Sequence, residues 1–347
     1  MFCRDDWENV AKRYEAWWAC QGPVFAVSAR RKGSPPPVAF PGVDFAEKRI
    51  NPKYSLARIA DEMLHTYYGG DAYARVFVNF GPGILAGYLG SAVHVDANTV
   101  WFGKCLDSWA GREFAFDPNN PWWQRTVRLT EALCQAAQGR FCVSITDLGG
   151  VYDVLASLRG TEELLVDFTE VPEALERAAD QVTTVWLRCY DELHRLTSRF
   201  QPGSACWDGT WSPGRMYVPQ SDVSAMLGPR DFRRHDIPRL RRICGAMDHT
   251  VYHLDGPDAV RHLDSLLELP ALNAIQWIPG AGRGSLRQWV PLLKRIQDGG
   301  KSVLCYPGPD DVETLMRQLR PEGLGICCTA RDEDEAKALE RLAARLL

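Results

Sequence analysis

Eight short apolar runs, separated for the most part by stretches of helical spacing, restrict this chain more than any other feature. They are Pro23–Ser28, Arg75–Phe80, Arg140–Thr146, Ser204–Trp207, Thr250–Leu254, Leu272–Trp277, Ser302–Tyr306 and Leu324–Cys328. Most lack strict alternation, as expected of strands buried on both faces. Between them, Pro172–Leu196 sets Leu175, Ala178, Ala179, Val182, Val185, Trp186, Cys189 and Leu193 at helical spacing, and Pro172 suits a first helical turn. Pro257–Leu267 carries Val260, Leu263, Leu266 and Leu267 on one side, and Ser285–Asp298 is closed by Gly299-Gly300. Asp332–Leu346 opens with acids and carries Arg341 and Arg345 towards its end, both favourable to the helix dipole.

Strand and helix in alternation imply parallel pairing, because parallel neighbours need a crossover. The expected fold is a single α/β domain over residues 1–347, a (β/α)8 TIM barrel, for which about 250 residues suffice. The excess falls at Lys32–Asn51, Lys104–Pro121 and Thr210–Pro229, which read as loop insertions at the rim. A doubly wound sheet would carry G-x-G-x-x-G after its first strand. Here Gly81-Pro82-Gly83 is too short, and its Pro lacks an amide to hold phosphate.

Composition narrows the function classes. A net charge of −4 gives no sign of a nucleic-acid partner, and no run approaches the roughly 20 apolar residues of a membrane span. The start, Met1-Phe2-Cys3-Arg4-Asp5-Asp6, does not read as a signal peptide. Eleven scattered Cys without such a signal imply reduced thiols and a cytoplasmic location. Cys134, Cys189 and Cys244 read as small core residues. Twelve Trp, with pairs at Trp17-Trp18 and Trp122-Trp123, suit core and lid packing or a flat aromatic ligand.

Barrels of this kind do chemistry at the C-terminal ends of their strands. At one such end stands His253-Leu254-Asp255-Gly256; at another stands Cys327-Cys328. Together they suggest a metal site of His253, Asp255 and Cys328, with Cys327 and Cys305 as secondary candidates. The bland alternative is a strand-end His, a helix-entry acid and core thiols. Asp147 and Asp208 also follow strands and are catalytic candidates, though either suits a cap or a turn. Gln220 and Asp222 could bind a polar substrate or cap a helix. Trp277 could form an apolar wall. Arg30 and Arg31 could hold a carboxylate or be simply solvated. His235, His249 and His262 read as structural.

Several segments in order resemble the uroporphyrinogen decarboxylase superfamily, which includes porphyrin decarboxylases and zinc-dependent corrinoid methyltransferases. They are Asn79-Phe80-Gly81-Pro82-Gly83, Leu89-Gly90, Thr99-Val100-Trp101-Phe102, Ile145-Thr146-Asp147-Leu148, Leu158-Arg159-Gly160 with Asp167, and Gln220-Ser221-Asp222-Val223-Ser224 followed by Gly228-Pro229, Phe232 and Pro238. The resemblance implies a TIM barrel and often a homodimer. Its methyltransferase branch has a His-x-Cys-Gly turn and a distant Cys binding zinc; here Asp255 stands in place of the first Cys, a harder donor than thiolate. The decarboxylase branch's Arg-rich N-terminal signature is absent; Ala29-Arg30-Arg31-Lys32 offers only cations at a similar place.

The leading expectation is zinc-assisted methyl transfer between a corrinoid protein, or a methylated small molecule, and a thiol-type acceptor. The chain has no Asp-x-His-x-x-Gly corrinoid signature, so a separate partner protein would carry that cofactor. One alternative is a metal-independent decarboxylase of a tetrapyrrole or another polycarboxylate. Another is a barrel that binds a small molecule without turnover.

Overall fold

The computed structural model describes residues 3–96 and 99–347. Met1 and Phe2, on which part of the leader reading rests, lie outside the described residues. All eight apolar runs contain strands: Val24–Arg30, Arg75–Phe77, Cys142–Ser144, Ser204–Ala205, His249–Asp255, Ala274–Ile278, Ser302–Cys305 and Leu324–Thr329. The chain is an α/β protein whose central sheet is mostly parallel. Val24–Arg30 pairs in parallel with Leu324–Thr329, so the two ends of the sequence share one ladder. From there the ladder passes through Ser302–Cys305, Ala274–Ile278 and His249–Asp255.

The continuous eight-stranded closure does not form among the described residues. The main sheet has seven strands. One edge is Thr66–Gly70, antiparallel to Val24–Arg30. The other is Met216–Tyr217, parallel to His249–Asp255. Arg75–Phe77 and Cys142–Ser144 form a separate parallel pair. A bond from the Ile145 amide to the Ala205 carbonyl, 3.1 Å, ties that pair to Ser204–Ala205. Ser204–Ala205 itself pairs antiparallel with Trp211–Ser212. The TIM-like layout therefore stands, but as an interrupted sheet.

Thr210–Pro229 also departs from its reading as a rim loop. Trp211, Met216, Tyr217 and Val218 in it are buried, and Met216–Tyr217 supplies the neighbour of His249–Asp255. A two-residue strand carries too little periodicity to stand out in a segment rich in Pro and Gly.

The sheet has a core on each face. Val251, Ala274 and Leu304 join the inner cluster, with helices such as Pro172–Thr197 and Pro121–Ala137 packed around it. Their strand neighbours Tyr252, Ile275, Trp277, Val303, Cys305, Ile326 and Cys328 join the outer cluster, against Leu240, Leu293, Leu315 and Leu339. Successive side chains on a strand point to opposite faces, and here both faces are dry.

Local signals set the helices. Asn120 accepts from the amides of Trp122 and Trp123 at the start of Pro121–Ala137. Asp332 caps Glu333–Leu346 through the Glu335 amide, with Glu333, Asp334 and Glu335 in the first turn. The expected helix Pro257–Leu267 is instead broken into Gly256–Ala259, a 3-10 turn at Val260–His262, and Leu263–Leu267. There the His262 ring stacks on Phe232 and bonds the Ser224 carbonyl through Nε2, 2.8 Å. The Trp17-Trp18 pair is core: the indoles donate to the Gly323 and Trp211 carbonyls. No helix among the described residues is long and apolar enough to cross a membrane.

Candidate functional site

His253 and Asp255 lie at inward positions of His249–Asp255, alternating with the outward Tyr252 and Leu254. Opposite them runs the segment that follows Met216–Tyr217. The His253 amide donates to the Pro219 carbonyl at 2.9 Å, and Gln220 bridges to His253. This places Asp222 beside the strand end. Asp222, His253 and Asp255 each offer a ligand atom, all within 4.8 Å of one another. The two carboxylates are exposed and the imidazole is partly buried.

A hydrogen-bond chain fixes the imidazole. Tyr306 donates its only hydroxyl proton to the Asp208 carbonyl at 2.7 Å. It therefore accepts from Gln276 Nε2, 2.9 Å away. That turns the Gln276 carbonyl oxygen towards His253 Nδ1, so Nδ1 is the nitrogen that carries the proton. Trp207 packs edge-on against the ring, at 5.1 Å between centroids. In the neutral imidazole Nε2 keeps its lone pair, the arrangement that second-shell partners impose on metal-binding histidines.

The donor set suits a divalent cation. One imidazole and two carboxylates, open to solvent on one side, match the three-ligand pattern of catalytic zinc sites. They make a harder set than the thiolates implied by the resemblance. The cysteines do not enter it. Cys328 faces outward with Leu324 and Ile326, among Phe25, Val27 and Ala336. Cys305 is on the same outer face and donates to the Gly325 carbonyl. Cys327 faces the interior, but among the described residues no group with metal-ligand spacing includes it. Burial pushes the Cys327 thiol up to about 12, the nearby Asp208 carboxylate adding to it and Arg75 opposing. Alternation reverses the preference for Cys328 over Cys327 as the inward thiol.

Asp222 holds its proton more tightly than usual, because surrounding protein removes solvent and Asp255 adds negative charge, while His253 opposes both. Asp147 is buried and its carboxyl rises to about 7; burial leads, Asp222 adds, and the Gly149 amide and Tyr217 hydroxyl pull it back. Its Oδ1 accepts from the Gly149 amide at 2.8 Å, so Asp147 does shape the local turn. The sequence gives no signal for Asp153, in the first turn of Val151–Arg159, where an acid looks like an ordinary dipole partner. Its Oδ1 accepts from the Val223 amide at 2.9 Å, while Oδ2 is buried without a partner among the described residues. Burial, with Asp222 adding to it, raises Asp153 to about 8.

Inside the sheet lies a cavity of about 570 Å³ lined by Tyr14, Tyr68, Tyr73, Arg75, Asp208, Tyr306 and Cys327, among others. Asp208 accepts from the Thr210 amide and hydroxyl, at 3.1 and 2.7 Å. Burial raises its pKa above the usual carboxylate range. The remaining sequence candidates lie elsewhere. Arg30 is exposed and donates to the Pro35 carbonyl at 3.0 Å; Arg31 is exposed and donates to the Thr66 carbonyl at 3.1 Å. Trp277 does not wall the mouth: it is fully buried in the outer core, 4.8 Å from the Trp289 ring. Gln276, its neighbour, takes the inward position. Gln220 is buried beside His253 through the bridge of their backbones.

No protein-family model matches the chain, and no curated protein matches it in sequence. Solved structures similar to it include a methyltransferase from Methanosarcina mazei. The alignment covers 97% of this chain and 98% of that one, with a TM-score of 0.62 and 12% identity. At that identity the likeness establishes the fold and its extent along the chain.

Proposed function

We propose that the protein is a metal-dependent methyltransferase of the uroporphyrinogen decarboxylase superfamily, transferring a methyl group from a corrinoid protein or a methylated small molecule to a thiol-type acceptor. The observation that carries the reading is the Asp222, His253 and Asp255 cluster, with His253 Nδ1 tied to Gln276. The fold shared with a methyltransferase supports it.

Asp222, His253 and Asp255 would hold zinc or a similar divalent cation. Such an ion lowers the pKa of a thiol or water bound to it and supplies a nucleophile at neutral pH. Gln276 and Tyr306 keep the imidazole oriented. Trp207 shields one side of the ring, and the exposed carboxylates leave the other side open to an incoming partner. Asp147, raised to about 7, can hold or release a proton near neutrality. The methyl-donor protein would dock where Asp222 and Asp255 are exposed.

The test is demethylation of methylcobalamin in the presence of a small thiol, followed by absorbance, with zinc added or chelated. The expected result is zinc-dependent turnover that His253→Ala abolishes. Equal rates in the wild type and His253→Ala, or in the presence and absence of zinc, would overturn the proposal.

A further inference from the structure

Arg75 lines the cavity, where the Asp208 carboxylate acts on it only across space. Among the described residues it forms neither a hydrogen bond nor an ion pair, although a guanidinium has five N–H donors. The carboxylates around it are engaged elsewhere. Asp71 pairs with Arg13 and accepts from the Phe25 amide at 2.8 Å. Asp208 is bound by Thr210, and Glu62 accepts from the Tyr68 hydroxyl at 3.2 Å. The space itself is shaped for the guanidinium. Gly209 stands at φ +91°, and a Cβ there would come within 2.9 Å of Arg75 Nη2 and 3.0 Å of Nε.

The walls are fixed in place: the Tyr73 ring packs edge to face against Trp7 and Tyr14. The Tyr73 hydroxyl donates to the Gly209 and Thr210 carbonyls, at 3.2 and 3.3 Å, and Tyr306 donates to the Asp208 carbonyl. An enclosed guanidinium with rigid aromatic walls matches a planar oxyanion attached to an apolar body. The fork of an arginine binds carboxylate through two parallel N–H···O bonds, which a lysine cannot reproduce.

We propose that this cavity binds a small organic acid, its carboxylate paired with Arg75 and its body against Tyr14, Tyr68, Tyr73 and Tyr306. None of Asp222, His253 and Asp255 lines the cavity, although its Tyr306 reaches His253 through Gln276, and the pairing of an acid with Arg75 needs no metal. The tyrosine rings supply hydrophobic contact and set the size limit, and the arginine supplies the selection for negative charge.

The experiment is calorimetric titration of the full chain, kept in chelator, with benzoate, 4-hydroxyphenylacetate and succinate, each beside its neutral amide, and with inorganic phosphate. At least one acid should bind ten-fold or more tightly than its amide. Arg75→Gln should lose that preference, and the surface control Arg128→Gln should keep it. Circular dichroism would show that each variant is folded. If Arg75→Gln does not fold, phenylglyoxal modification of the unmutated protein decides: the bound acid, and not its amide, should protect Arg75. Acids binding no better than amides, phosphate binding alone, no binding at all, affinity unchanged in folded Arg75→Gln, or no protection would each overturn the proposal. Because chelator is present throughout, failure here is distinct from failure of the metal reading.

Discussion

Replacing Gln276 with Leu tests the claim that a chain of hydrogen bonds holds His253 ready for a metal. Gln276 is buried, and both ends of its amide are used: the oxygen by His253 Nδ1 and the nitrogen by the Tyr306 hydroxyl. Leucine fills similar space but serves neither. The stability loss combines two hydrogen bonds, each worth about 1 kcal/mol, with the cost of leaving a buried partner unsatisfied, about 1–3 kcal/mol. A total of about 3–5 kcal/mol is therefore expected. The effect on the site is separate. Loss of an outer partner of a metal-binding histidine weakens metal affinity by about 10–100-fold, roughly 1.4–2.8 kcal/mol. Zinc affinity, read by competition with a fluorescent chelator at a temperature where both proteins are folded, should fall within that range. Gln276→Glu keeps an acceptor towards Nδ1 and should restore much of it. Zinc affinity unchanged in folded Gln276→Leu would refute the reasoning, because the imidazole would then need no partner to present Nε2.

Other expectations follow from the same structure. Asp147 rises from 3.8 to about 7 on burial, so the folded state binds its proton more tightly than the unfolded state. Its contribution to stability is full below about pH 4 and declines by about 1.4 kcal/mol per pH unit as pH rises towards 7. Urea unfolding of Asp147→Asn should be less dependent on pH than that of the wild type over that window; parallel profiles would contradict the assigned shift. Trp277→Ala should cost about 3–5 kcal/mol, as for a large aromatic lost from a core, while leaving zinc affinity in the folded protein unchanged. A selective loss of zinc or ligand binding without destabilisation would place that ring at the mouth after all. Asp167 accepts from Trp109 Nε1 and pairs with Arg159, each at 2.8 Å. Asp167→Ala should destabilise by about 3–5 kcal/mol, since it leaves a half-buried cation unpaired; a change below 1 kcal/mol in urea unfolding would show the pair to be dispensable.

The strands were legible because each is an apolar run between turn residues, and the capped helices because Asn120 and Asp332 stand where a cap must. The short strand Met216–Tyr217 was not, because its partner lies over thirty residues away and two residues carry no period. His253 and Asp255 could be found as strand-end ligand types. In sequence Asp222 reads as a polar contact or a cap; only pairing of its segment with the His249–Asp255 strand brings it to the imidazole. Choosing between Cys327 and Cys328 needs the strand register, which a run buried on both faces conceals. The same holds for Gln276 and Trp277. In sequence Arg75 is only the first residue of an apolar strand. Its isolation appears only when Tyr14, Asp208 and Tyr306, distant in sequence, close around it.

The central claim is that Asp222, His253 and Asp255 form a metal centre that excludes the cysteines. Metal content by mass spectrometry tests it most directly, on protein purified without a His tag or chelator and supplied with zinc. The account predicts near-stoichiometric metal in the wild type and in Cys328→Ala, and its loss in His253→Ala and Asp222→Ala. A metal-free wild type after zinc is supplied, or metal that survives in His253→Ala and disappears in Cys328→Ala, would contradict it.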